Sequence, residues 1–277
     1  MSVSLQQQSW RAAIELAFAR RAQRTAIVHR QHYGPLRVQS PFYPEGEVCH
    51  VYLLHPPGGV VGGDQLTIAV TVADGAHALI TTPASGKFYR SNGMVALQQQ
   101  TLTVHGGAVL EWLPQDTILF SNSYVSMNTR VELAGDARFI GWEMLCLGRP
   151  ASGELYEGGL CRQTLELWRD GEPLFIERAR YDADQTLMLD AWGLQGKTVS
   201  ATLVATHADA QVLALARTVE LSADEGLLSC TLMGDLLVCR LLAHQGETAR
   251  LTFSRIWQQI RPVVIGREAS VPRIWNT

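Results

Sequence analysis

The sequence predicts a mainly β fold, and three observations predict it. Short runs of alternating apolar and polar residues recur along most of the chain, the period of strands with one buried face. Turn dipeptides separate them: Asp74-Gly75, Asn92-Gly93, Gly106-Gly107, Gly135-Asp136 and Asp170-Gly171. The runs are spaced too closely and evenly to hold the helices of repeated βαβ units. An all-β chain of 277 residues is expected to form one domain, here 1–277. No linker, low-complexity tract or repeat of fixed period divides it.

Taken in order, segment 10–20 is ambiguous: Ile14, Leu16 and Phe18 alternate, yet its alanines suit a helix. Strands are predicted at 48–54, 66–72, 77–82, 95–104, 125–133, 138–147, 159–167, 198–205 and 236–242. Two late segments change to helical spacing. Segment 209–221 places Val212, Leu215, Ala216 and Val219 on one face, and segment 248–260 does so with Leu251, Ile256, Trp257 and Ile260. Pro262 is predicted to stop the second helix.

Composition narrows the function. With 47% apolar and 18% charged residues, the chain belongs with folded globular proteins. Lys plus Arg is 23 and Asp plus Glu is 26, and no basic block appears, which disfavours nucleic-acid binding. Lys87 and Lys197 are the only lysines. The arginine excess suits pairing with carboxylates at an interface, and codon bias explains it equally well. Five cysteines, an odd number without a Cys-x-x-Cys pair, argue against a disulfide framework and a zinc knuckle. They read as small core residues of a protein in a reducing cytoplasm. Segment 1–10 carries no apolar stretch fit for a signal peptide, and no run approaches the length of a membrane-spanning helix.

The search for chemistry starts at His55-Pro56-Pro57-Gly58-Gly59-Val60-Val61-Gly62-Gly63-Asp64. Such a string is either a tight strand connection or a place where backbone amides approach a ligand or another chain. It is not a phosphate loop, because no Gly-Lys-Ser/Thr follows. Cys49, His50 and His55 do not form a metal site within one strand. Cys49 and His55 lie about 20 Å apart in an extended chain, and His50 faces the other way. His29, His32, His105, His207 and His244 join no recognisable cluster, and neither a Gly-x-Ser-x-Gly elbow nor a His-Glu-x-x-His helix occurs.

Three acids stand out. Asp64 closes the glycine-rich string, Glu143 interrupts an apolar run, and Glu177 interrupts Leu174-Phe175-Ile176. A carboxylate there must be paired, hydrogen-bonded or bound to a cation. Two readings stay open: salt bridges, with Arg178 and Arg180 as neighbours in sequence, or a wet interior path for a divalent cation. Lys87-Phe88-Tyr89-Arg90-Ser91 and Leu110-Glu111-Trp112-Leu113-Pro114-Gln115-Asp116 mix charge, aromatics and amides as interfaces do, and as strands with one solvated face also do. The tail Pro272-Arg273-Ile274-Trp275-Asn276-Thr277 is either docked on its own domain or open to a partner.

Together these strings resemble the urease accessory protein D family (UreD, also called UreH). The landmarks run from Gly34-Pro35-Leu36 and Pro41-Phe42-Tyr43-Pro44-Glu45 through the Tyr52 to Asp64 stretch, segments 87–91 and 110–116, Leu147-Gly148-Arg149-Pro150 and Gly153-Glu154 to the tail. The resemblance implies strands wound in a helix-like stack with two helices in the C-terminal third. It implies a scaffold that is not an enzyme and acts in urease maturation. Its implied partners are the urease apoprotein, the F-type accessory protein and, through that protein, the G-type accessory GTPase. Neither nucleic acid nor membrane is among them.

In this family, nickel is thought to cross an internal passage on its way to the dinuclear urease site. The resemblance places Asp64, Glu143 and Glu177 at acidic positions lining it. Nickel would be handled transiently, with no tight site and no resident cofactor. Family-motif or interface positions implied here are His55, Gly58, Gly59, Gly62, Gly63, Lys87, Tyr89, Arg90, Trp112, Gln115, Arg273 and Trp275. The chain departs from common family spellings at Gln65, at Ala84-Ser85-Gly86 and at Ser121-Asn122-Ser123. A scaffold that bridges partners and conducts nothing is the alternative.

Overall fold

A computed structural model describes residues 9–276. Most of the signal-peptide reading of 1–10, and Thr277 of the tail, therefore lie outside the described residues. The chain first forms β1 Arg11–Arg21, β2 Arg24–Tyr33, β3 Arg37–Val38, β4 Cys49–Leu54, β5 Gln65–Val72, β6 His77–Thr81 and β7 Gly86–Phe88. Next come β8 Ala96–Val104, β9 Val109–Leu113, β10 Thr117–Leu119, β11 Ser123–Leu133, β12 Arg138–Arg149 and β13 Glu154–Leu155. The remaining strands are β14 Gly159–Arg169, β15 Glu172–Asp182, β16 Val199–Ala205, β17 Gly226–Met233 and β18 Leu236–Ala243. Three α-helices, α1 Gln185–Leu189, α2 Ala210–Arg217 and α3 Gly246–Ile265, fall in the last third. None of them is long and apolar enough to cross a membrane.

The strands stack in a solenoid-like winding. One sheet runs β15-β14-β11-β8-β5-β1-β2, and the path of the other runs β17-β18-β16-β12-β9-β6-β4-β3. From β5 to β14 the longer strands alternate between the two sheets, so each coil contributes one strand to each, and neighbouring coils pair in parallel. A coil takes about 30 residues, within the range of repeat architectures. At one corner, three turns are superposed. Ala76, Ala108 and Ala137 donate backbone N–H to the carbonyls of Ala73, His105 and Ala134, at 3.0, 3.1 and 3.0 Å. All three closing alanines are wholly buried, since a larger side chain would push the coils apart.

Two cores result. Leu16, Val70, Leu102, Val131 and Leu167 form a cross-strand ladder on the inner face of the first sheet, all buried against the second. The opposite face of the second sheet, through Leu79, Ile140, Leu203 and Leu237, packs on Phe253, Ile256 and Ile260 of α3. Segment 10–20 resolves as strand because Ala12, Ile14, Leu16 and Phe18 all face the first core. All five cysteines are buried and unbridged.

Helix α2 is capped by Asp209, whose carboxylate accepts from Gln211 N at 2.9 Å and Val212 N at 3.0 Å. It is shorter than the predicted 209–221. Helix α3 corrects the other prediction, because it continues through Pro262 to Ile265. Proline removes one donor, but this one stands in the final turn. Gly266, at φ 78°, closes that turn by donating to the Pro262 carbonyl at 3.0 Å, and Arg261 and Val264 are buried beside it.

Arg261 ties α3 to the sheet. Its Nε and Nη2 donate to the two carboxylate oxygens of Glu111 at 2.9 Å each, and Nη2 also reaches Glu45 at 2.9 Å. Trp257 Nε1 donates to Glu111 at 2.6 Å, and His77 Nε2 lies 2.8 Å from it. Burial alone would raise the Glu111 pKa. The His77 contact and the Arg261 charge overcome this and hold it at about 2, below the ordinary 4.5.

Two predictions follow from this network. Arg261→Met leaves Glu111 buried without its cation and should cost ~3–5 kcal/mol in chemical denaturation, whereas Glu111→Leu combined with Arg261→Met should cost less than the sum of the two single changes. Because the folded pKa of Glu111 is depressed, its stabilisation is present above the unfolded value near 4.5 and is lost as pH falls toward about 2. Denaturant midpoints between pH 6 and pH 3 check this: the wild type should lose stability on acidification, and Glu111→Gln should lose much less.

Candidate functional site

Two cavities lie between the sheets, and they share a wall. The first, about 410 Å³, has His55, Gly58, Gly59 and Lys87 toward its loop side, with Gln100 and Trp112 among its other lining residues. The second, about 390 Å³, is lined by Glu177, Tyr181, Thr202 and Arg240 among others. Glu143 and Gln163 line both.

Glu143 reaches this position through strand parity. On β12, Phe139, Leu145 and Leu147 face the first core, and Ile140, Met144 and Cys146 face the helices. Glu143 shares the inward set. Its Oε1 accepts from Thr129 Oγ1 and its Oε2 accepts from Gln163 Nε2 at 2.5 Å, both on the opposite sheet. Thr129 Oγ1 also lies 3.4 Å from Gln100 Oε1. Among the described residues no arginine pairs with Glu143, so the salt-bridge reading fails there. Burial pushes its pKa up, the two hydrogen bonds oppose this, and the negative charge of Glu177 adds to the rise.

Glu177 is a different case. It accepts from Thr202 Oγ1 at 2.8 Å and from Arg240 Nε at 2.9 Å. Its salt-bridge partner is therefore Arg240, from β18 in the other sheet. The sequence neighbours are engaged elsewhere: Arg178 lies 3.5 Å from Glu166, and Arg180 lies 2.7 Å from Asp182.

Asp64 lines neither cavity. It is buried at the end of the glycine-rich string, where its oxygens accept from Trp10 N at 2.8 Å and Val61 N at 3.1 Å. His55, at the mouth of the first cavity, feels its charge, although burial dominates and lowers the His55 pKa.

The glycine-rich string packs on the 87–91 string. Val60 donates backbone N–H to Lys87 O at 2.7 Å, and Tyr89 donates to Val60 O at 2.8 Å. A Cβ on Gly59 would lie 2.2 Å from the Tyr89 ring, and one on Gly62 would lie 2.1 Å from Ser91 Oγ. These glycines are required by close approach of the two strings. Gly63, at φ 92°, turns the chain into β5, and Gly58, at φ 78°, turns it at the loop tip.

Two expected interface residues are instead internal. Trp112 is 3% exposed and lines the first cavity, and its Nε1 has no hydrogen-bond partner among the described residues. Trp275 is 7% exposed: its ring packs on Trp142 and Trp257 with centroids 5.8 Å away in each case, and its Nε1 donates to Thr81 Oγ1 at 2.8 Å. The tail is thus docked on its own chain, because a tryptophan at this position completes the second core. Arg90 and Arg273 are exposed, while Gln115 lines the first cavity and its backbone N–H is held by Thr82 Oγ1 at 2.9 Å. Among the described residues no three His, Cys, Asp or Glu side chains are gathered as a metal-binding group. His50 pairs with Glu45 at 2.6 Å, away from Cys49.

The model of the UreD urease accessory protein family matches residues 11–276. The chain belongs to this family. It is 44% identical over 274 residues to the urease accessory protein UreD of Dechloromonas aromatica (strain RCB), covering 97% of this chain and 95% of that one. It is 47% identical over 270 residues to UreD of Janthinobacterium sp. (strain Marseille), with 96% and 91% covered. UreD of Saccharophagus degradans is 45% identical over 278 residues, with 97% and 93% covered. The family match spans all the landmark strings except Thr277.

Sequence reasoning missed Thr129, Gln163, Thr202 and Arg240, which acquire meaning only by meeting Glu143 or Glu177 across the sheets. It also treated Glu111 as part of a surface string. The signal that singled out Glu143, an acid within an apolar run, applies equally to Glu111 between Leu110 and Trp112.

The environment of Glu143 makes a prediction opposite in sign to that of Glu111. Its raised pKa means its favourable contribution holds at low pH and is lost as pH rises through the folded value. Glu143→Gln should therefore stabilise the chain relative to wild type more at pH 8 than at pH 5, measured by denaturant midpoint.

Proposed function

We propose, on the strength of its membership of the UreD family, that this chain acts in urease maturation. We propose that this chain is a cytoplasmic, single-domain scaffold without catalysis of its own. It bridges the urease apoprotein to the F-type accessory protein and, through that protein, to the G-type GTPase. We further propose that it conducts nickel, its cargo, through its interior to the dinuclear urease site.

One observation carries the conducting role: two solvent-open cavities between the sheets share Glu143 and Gln163 as lining residues, and Thr129 and Gln163 both hydrogen-bond to Glu143. A lone carboxylate flanked by a hydroxyl and an amide offers hard oxygen donors. These hold nickel less firmly than imidazole or thiolate would, which suits passage over storage. Burial raises the Glu143 pKa, and a cation arriving beside it would favour the carboxylate form that serves as a ligand. The hydrogen bonds from Thr129 and Gln163 satisfy both Glu143 oxygens and so offset part of the cost of burying the group.

A scaffold that conducts nothing is favoured by a different observation. Glu177 is already paired with Arg240, and both oxygens of Asp64 are taken by backbone amides. On that reading the three acids hold the fold together.

The deciding measurement is nickel per active site in urease co-expressed with its accessory set. Omitting this chain should leave apo-urease with its subunits assembled. Glu143→Leu should reduce nickel loading about tenfold or more while the accessory complex still co-purifies with urease, and Glu143→Asp should restore part of it. Full loading with Glu143→Leu would leave bridging alone. Asp64→Ala should act mainly through the loop, with a stability loss of ~1–3 kcal/mol.

A further inference from the structure

The strand β2 ends the first sheet, and its outer half is unusually open. Among the described residues its only strand partner is β1. On the edge away from β1, the one backbone contact among the described residues is Thr25 N to Glu47 O at 2.9 Å, near the hairpin. A bulge at Val28 then separates the pairs Phe18–Ile27 and Ala17–His29. Beyond it, Val28 to Tyr33 are all exposed, although Ile14 and Leu16, their partners on β1, are buried in the first core.

Its charge is one-sided. From Leu16 to Pro44 the chain carries Arg20, Arg21, Arg24, Arg30 and Arg37 with His29 and His32, and no Asp or Glu. Part of this charge is engaged: His29 lies 3.8 Å from Glu15 of β1, Arg20 lies 3.6 Å from Glu47, Arg24 stacks over Tyr43, and Arg37 contacts His32 at 3.1 Å. Arg21 and Arg30 meet no acid among the described residues. Tyr33, 68% exposed, supplies an aromatic anchor at the far end.

Natural edge strands are commonly guarded by charge, proline or a bulge. The bulge and cations guard this one against a second copy of itself, which would set Arg30 against like charge. The strand contains no proline, and its cations favour an oppositely charged strand. We infer that the β2 edge from Val28 to Tyr33 takes an extended, acidic segment of a protein partner by strand addition. Main-chain hydrogen bonds to the free edge would supply affinity, and carboxylates facing Arg30 and its neighbours would set register and partner choice.

The test uses the full chain and a labelled ten-residue peptide of alternating Glu and Val, at low salt, with amide hydrogen exchange as readout. Binding should slow exchange in 28–33 specifically. Arg30→Glu should weaken binding about tenfold, while Arg255→Glu, the same charge change on an exposed part of α3, should not. A matching Lys and Val peptide should not bind. Peptide binding without protection of 28–33, or equal weakening by both substitutions, would overturn the proposal in favour of diffuse charge attraction. So would heparin, a polyanion without a peptide backbone, protecting the same amides equally. Thermal melts of each variant establish that it is folded before it is scored.

Discussion

The buried pair of Arg261 and Glu111 is the constraint on which the arrangement of layers depends. A solenoid of parallel coils has no intrinsic reason to place a helix at one point on its outer face, since apolar packing alone tolerates sliding. A guanidinium that must meet Glu111 with two hydrogen bonds, and Glu45 with a third, has one acceptable position. Trp257, one turn earlier on α3, reaches the same carboxylate and also packs on Trp275. The helix, the sheet and the C-terminal tail are thereby fixed to one another, at the cost of desolvating several charged groups.

The interior between the sheets follows a different logic. Most of its inward positions are filled by aliphatic ladders, but at one level Gln100, Thr129 and Glu143 replace them. Polar groups inserted across a core prevent tight closure around them, and the two cavities lie on either side of this bridge. The glycine-rich string and the 87–91 string form one wall of the first cavity by packing backbone against side chain. That close approach explains the glycines without any ligand.

Much of the architecture was legible in the chain. Every predicted strand is present, and the ambiguous 10–20 segment joins them once its alternating residues are seen to face a core. Helices α2 and α3 were visible from their spacing, although Pro262 gave a false stop, and the short α1 was not. The coil repeat was not visible. Its corner turns recur regularly, but the connections on the other side differ in length, so no fixed period survives in sequence. Of the three acids, Glu143 stands where two cavities meet, Glu177 forms an ion pair across the sheets, and Asp64 caps a loop. Composition could not separate these three environments.

The sequence by itself determined what is local: alternation that makes strands, Asp209 as a helix cap, glycines where the chain turns or is crowded, and the strings that mark the family. Only the tertiary structure decided what is relational. Whether an acid in an apolar run meets an arginine, an amide or a backbone N–H depends on which coil lies opposite. That pairing is fixed by register between segments far apart in the chain. Trp112 and Trp275 became core residues for the same reason, because burial belongs to the packed assembly of coils and not to the residue.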